Sequence, residues 1–244
     1  MKRKEFNWVL PEAIENRLGP NTYGRQRVLH EGDDLLIILH DVPNADQHDR
    51  EHCVFWRDGS AHLFYNGGDN GEYKLRALME RYDKRYEELE ELYDNATDSQ
   101  ILFHLIEELI PINRACNNMT TTLQKARECV RDDLFLIEMR DFSSQLQQNY
   151  EILLSDSKTA LDYRIAKYAE EQTIQGKEAV DAQHRLNILA AVFFPLTTIA
   201  TIFGMNLKHG LSERSVLVFW LVFIIGISVG IWTKGWIVRK ENNG

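Results

Sequence analysis

Residues 186–207 read LNILAAVFFPLTTIATIFGMNL, twenty-two positions without one ionisable side chain. As a helix rising about 1.5 Å per residue, the stretch reaches roughly 33 Å, enough for a hydrocarbon core of about 30 Å. A second uncharged run, SVLVFWLVFIIGISVGIWT, occupies residues 215–233. Nothing else in the chain could enclose two such runs on all sides, so they predict membrane-crossing helices rather than buried helices of a soluble core. Only residues 208–214 separate them, which makes a hairpin with both chain ends on one side. Lys234, Arg239 and Lys240 follow the second run, whereas the linker has Lys208 and Arg214 partly offset by Glu213. That bias predicts cytoplasmic termini. Trp232 and Trp236 fall where an interfacial aromatic belt would lie.

Outward from these runs the composition changes. The 244 residues carry 37 acidic and 28 basic side chains, a net charge of −9. Residues 69–184 hold 24 of the acids against 14 bases, while residues 185–244 hold 2 acids against 6 bases. An acidic body on an apolar, mildly basic tail excludes a nucleic-acid binder, because neutralising phosphates needs clustered Lys and Arg. Cys53, Cys116 and Cys129 form no CxxC pair, which suits reduced thiols in a cytosolic compartment. No apolar segment follows Lys2, Arg3 and Lys4 as it would in a cleaved signal peptide. Gly67-Gly68-Asp69-Asn70-Gly71 is not a GxGxxG loop and follows no βα pattern. With no nucleotide motif and no catalytic constellation, the chain reads as neither an enzyme nor the holder of a cofactor.

The first 68 residues show strand signals. Residues 27–30 and 35–40 flank the turn formers Glu31-Gly32-Asp33-Asp34, and residues 52–57 and 60–66 flank Asp58-Gly59, a two-residue hairpin signal. The glycine-rich break then precedes a change of period, with Asp69 or Asn70 as a helix N-cap. Leu75, Leu78, Met79, Tyr82, Tyr86, Leu89 and Leu92 recur at helical spacing, and a break at residues 95–99 leads to a second helix reaching about Arg131, with Pro111 inside it. A third helix begins near Asp133 and meets no proline until Pro195, so it can run into the first apolar stretch. Sixty or more residues make about 90 Å of helix, which needs neighbours to be stable. The acid-rich residues 80–94 suit a solvated helix face or a field drawing cations to a pore mouth. The expected architecture is an α-dominated membrane protein. A small α/β cap (1–68) leads to a helical hairpin and stalk (69–184), then two transmembrane helices (185–207 and 215–233) around an outer loop (208–214), and a basic tail (234–244).

Gly204-Met205-Asn206 ends the first apolar run, after Phe203 and before a short linker and basic tail. In that position the tripeptide resembles the signature of the CorA family of divalent-cation transport proteins. The likeness extends back through RLNILAAVFFPLTTIATIFGMN (185–206), including Phe194-Pro195-Leu196-Thr197, and through the hairpin and stalk; the cap is short for the family. The resemblance implies an integral membrane homopentamer, in contact with lipid, in a bacterial inner (plasma) membrane. The first span of each chain would line a central pore for Mg²⁺ or another divalent cation, as cargo or regulatory ion. Mg²⁺ gives up water reluctantly, and a ring of neutral Asn206 amides could hydrogen-bond a hydrated ion without stripping it. A carboxylate ring would bind more tightly and release more slowly. Gly204 would let the backbone turn at the helix end and Met205 would pack the loop; the plainer alternative is that Asn206 only caps the helix.

Thr201, Thr197, Phe194, Ala190, Leu186 and Gln183 recur at helical spacing below the motif. The resemblance places this stripe on the pore wall, and helix–helix packing is the alternative, because small and hydroxylated residues are also favoured there. In the outer loop Glu213 is the only acid, and five copies of Lys208 would repel cations at the mouth. Asp156, Asp162, Glu170, Glu171 and Asp181 are the stalk candidates for regulatory divalent ions between subunits, and also suit plain surface carboxylates. His48-x3-His52 with Cys53 could ligate zinc if helical, but Asp46, Asp49 and the nearby turn residues point instead to an exposed loop. A ZntB-like Zn²⁺, Co²⁺ or Ni²⁺ carrier and a non-conducting CorA-like scaffold or regulator are the alternative functions.

Overall fold

A computed structural model describes residue 6 and residues 8–43, 51–204, 220, 221, 223–228 and 230–232. The chain divides into two compact units, Met1–Ala166 and Lys167–Gly244.

In the first unit, four strands form an antiparallel meander: β1 Arg27–Glu31, β2 Asp34–His40, β3 His52–Arg57 and β4 Leu63–Tyr65, in that spatial order. The β2 core reads Leu35-Leu36-Ile37-Ile38-Leu39, all fully buried. Side chains alternate across a strand, so an unbroken apolar run requires cover on both faces. Leu35, Ile37 and Leu39 join Phe55 and Cys53 in the larger core, under helices α2 (Gly71–Asp94), α3 (Ser99–Cys129) and the start of α4 (Leu134–Gly204). Leu36, Ile38 and Val54 face the other way, against Ile14 of the short helix α1 (Glu12–Glu15), Tyr23 and Leu29, with Phe6, Trp8 and Leu10 packed alongside.

Side chains fix where the elements begin. The Asp98 carboxylate accepts the Ile101 N–H at 2.9 Å and caps α3. Asp133 accepts the Leu136 N–H at 3.1 Å, opening α4, and also takes Arg57 Nε of β3 at 2.9 Å. Pro111 lies within α3 without ending it. Tyr150 of α4 donates its hydroxyl to the Tyr82 carbonyl of α2 at 2.7 Å, and the Tyr82 hydroxyl reaches the His40 and Asp41 carbonyls at 3.2 Å each.

One local expectation is corrected, and a second is met in position but not in its side-chain bond. The β3–β4 connection is not a two-residue hairpin: the Asp58 carboxylate accepts the N–H groups of both Ser60 and His62 at 2.9 Å, Ala61 takes a positive φ of 68°, and the strand resumes only at Leu63. Asn70 stands at the N-cap of α2 but makes no side-chain cap bond, its backbone being left-handed at φ 70°. The next residue must be Gly71, since a Cβ there would stand 2.4 Å from the Leu63 carbonyl oxygen.

The second unit contains α4 beyond residue 166, together with helical residues at 220, 221, 223–228 and 230–232. Among the described residues no helix is long and apolar enough to cross a membrane. The first apolar run is described as helix to Gly204, and the second only in part.

Candidate functional site

Three threonine hydroxyls follow the proline of the first apolar run, and each bonds back to the helix. Pro195 sits inside α4 without ending the helix. Thr197 and Thr198 donate their hydroxyls to the Phe194 carbonyl at 3.0 and 2.8 Å, and Thr201 donates to the Thr197 carbonyl at 2.7 Å. A Thr hydroxyl has one proton and two lone pairs. With the proton turned onto the helix, Thr197 and Thr201 present lone pairs outward, which suits hydrogens of water arranged around a cation.

Gln183, Leu186, Ala190, Phe194, Thr197 and Thr201 all lie on α4, within roughly 80° of arc at 100° per residue. In the single chain Leu186 is 64% exposed and Phe194 69%, Gln183, Thr197 and Thr201 are also exposed, and Ala190 is half-buried. Gly204 is the last described residue of α4; Met205, Asn206, Lys208 and Glu213 lie outside the described residues.

Of the stalk carboxylates, Asp156 and Asp162 belong to the first unit and Glu170, Glu171 and Asp181 to the second, all exposed. Among the described residues no three His, Cys, Asp or Glu side chains gather to hold a metal. The helical His48, His52 and Cys53 zinc arrangement is corrected: His52 and Cys53 are consecutive residues of strand β3 and point to opposite faces, and His48 lies outside the described residues. Burial pushes the Cys53 thiol up to about 11, with Tyr65 donating its hydroxyl to the sulfur at 3.7 Å. Such a thiol is held in its protonated form at neutral pH and packs in the larger core.

On the acid-rich part of α2, Arg85 pairs with Glu88 at 2.7 Å and with Glu108 of α3, while Arg81 forks onto Asp41 at 3.0 and 3.1 Å. Most of the remaining acids there are exposed, as a solvated face requires. Sequence reasoning missed one convergence: His40 and His52, directly opposed on β2 and β3, both reach the Gly24 carbonyl. The strand alternation would have placed them on one face had the register been read.

A profile of the family described as "CorA-like Mg2+ transporter protein" matches residues 55–240. Among solved structures, full-length CmaX overlays with a TM-score of 0.55 at 16% identity, across 89% of this chain and 77% of that one. The cytoplasmic domain of ZntB from Vibrio parahaemolyticus RIMD 2210633 gives 0.52 at 12% identity, across 67% and 80%. The CorA magnesium transporter from Methanocaldococcus jannaschii gives 0.40 at 18% identity, across 88% and 78%. None of the curated proteins compared matches the chain. The first two overlays show a shared fold.

Proposed function

Because the chain belongs to the CorA-like Mg²⁺ transporter family, we propose that it is a homopentameric membrane channel passing hydrated divalent cations, most naturally Mg²⁺. In this reading residues 185–207 and 215–233 cross the membrane, the first lining the pore and the second packing outside it, with both termini cytoplasmic. The observation that carries the reading is the largely exposed face of α4 that precedes Gly204-Met205-Asn206 in the chain. Its threonine protons are bound to helix carbonyls, leaving acceptors for the outward-pointing hydrogens of a hydrated cation. Phe194 and Leu186 supply apolar rings that would close the path by dewetting. Ions move down their gradient; the chain acts as a conduit and performs no catalysis. Asp156, Asp162, Glu170, Glu171 and Asp181 are the regulatory ion candidates in the assembled ring.

A second reading, a Zn²⁺, Co²⁺ or Ni²⁺ carrier, draws on the fold shared with the ZntB cytoplasmic domain. Purified protein in liposomes, loaded with dyes for Mg²⁺ and for Zn²⁺, separates the two. The proposal expects Mg²⁺ entry that follows the imposed gradient; preferential Zn²⁺ entry favours the second reading. No divalent entry at any voltage would leave a membrane scaffold or regulator.

A further inference from the structure

The histidines of the N-terminal sheet are not used by the pore, and two of them are held in a geometry suited to a metal. His40 ends β2 and faces His52 at the start of β3 in direct register. Their rings meet edge to face with centroids 4.9 Å apart. Each Nε2 lies against the same main-chain oxygen, that of Gly24, at 3.1 Å for His40 and 3.0 Å for His52. A carbonyl only accepts, so in the metal-free form both rings must carry a proton on Nε2.

The two Nε2–oxygen separations also fall in the range expected between ligands of one metal ion. Ligands bound to one dication at about 2.0–2.1 Å stand about 2.9 Å apart at right angles and about 3.4 Å apart in a tetrahedron. We propose that His40 Nε2, His52 Nε2 and the Gly24 carbonyl oxygen form a binding site for a transition-metal dication of the Zn²⁺, Co²⁺ or Ni²⁺ type. On binding, each neutral imidazole moves its proton from Nε2 to Nδ1 and offers the Nε2 lone pair. Two N–H···O hydrogen bonds are exchanged for two metal–nitrogen bonds and one metal–oxygen bond, with no net release of protons.

The protein backbone fixes all three donors. Cross-strand pairing sets the two histidines, and Gly24 adopts a φ of 76°, a left-handed conformation glycine reaches without strain, with its N–H held by Thr22 Oγ1 at 3.1 Å. The Tyr23 ring packs against His52 at 6.0 Å between centroids. His40 is buried, whereas His52 and Gly24 are half-buried, so water can complete the coordination sphere. Imidazole donors suit Zn²⁺, Co²⁺ and Ni²⁺, whereas Mg²⁺ seeks oxygen ligands in a near-ideal octahedron. The site therefore distinguishes transition metals from Mg²⁺ and is independent of any pore.

The test uses the full-length protein in detergent, freed of metal with a chelator and titrated with Co²⁺ while its visible d–d absorption is followed. Wild type is expected to develop the bands of nitrogen-coordinated Co²⁺, to lose them on adding Zn²⁺, and to keep them on adding Mg²⁺. His52→Ala is expected to lose the bands. His62→Ala, which alters a histidine paired with Asp69 elsewhere, is expected to keep them. The proposal is overturned if wild type develops no bands, if a folded His52→Ala protein matches it, if His62→Ala loses them equally, or if Mg²⁺ displaces Co²⁺ as well as Zn²⁺ does. The wild-type and His62→Ala titrations decide the matter even if the His52 variant does not fold.

Discussion

Replacing Asp133 by Ala removes two interactions at the start of α4. The first is the cap: Oδ1 accepts the Leu136 N–H at 3.1 Å, and losing such a cap costs about 1 kcal/mol. The second is the pair with Arg57, whose Nε stands 2.9 Å from Oδ2, the side chains being 13% and 14% exposed. Breaking a fully buried pair costs about 3–5 kcal/mol and an exposed one about 0–1. Limited solvent access at this pair puts its loss near ~2 kcal/mol on that scale. Together the terms make about 3 kcal/mol, or about 6–12 °C in Tm for a domain of this size. Circular-dichroism melting of the full-length protein in detergent measures it. Asp133→Asn keeps a cap acceptor and loses the charge, so it should fall between wild type and Asp133→Ala. An Asp133→Ala protein melting with wild type would refute the reasoning, as would additive effects of Asp133→Ala and Arg57→Leu in a double-mutant cycle.

Three further outcomes follow from particular contacts. Gly71→Ala places a Cβ against the Leu63 carbonyl oxygen and carbon at 2.4 and 2.6 Å; α2 must shift from β4, lowering stability by roughly 1–3 kcal/mol in the same melting assay. Arg76 grips the exposed Glu138 carboxylate and holds it below its usual value, so the pair stabilises the fold above the ordinary carboxylate range and stops doing so as pH falls through the lowered value. An Arg76→Gln protein should therefore lose less Tm than wild type on acidification through that range at low salt. Lys208→Glu should raise divalent entry into liposomes at low ionic strength, where screening is weak; unchanged entry would place the loop away from the ion path.

The sheet and helices were legible where the chain's own periodicity decides them. The apolar run 35–40 beside turn residues was legible as a strand, its cover on both faces only from the structure, and the α2 and α3 boundaries lie where turn residues interrupt the helical spacing. The errors arose where side chains override local preference. Asp58 holds two backbone N–H groups and widens a loop that Asp-Gly makes look tight, and close approach of Leu63 dictates Gly71 where a capping bond from Asn70 was expected. The strand over residues 52–57 was legible, but that His52 stands opposite His40 is a long-range relation that local spacing does not contain. For the face proposed to line the pore, spacing alone gives the stripe from Gln183 to Thr201. The direction of the threonine protons requires coordinates.

The central claim is that a ring of Asn206 carboxamides admits a divalent cation with its water still bound. Comparing Mg²⁺ flux through wild type and Asn206→Ala in liposomes tests it most directly, with the oligomer verified in detergent before reconstitution. The account predicts an intact oligomer that no longer conducts. An Asn206→Ala protein that assembles and passes Mg²⁺ at the wild-type rate would contradict it.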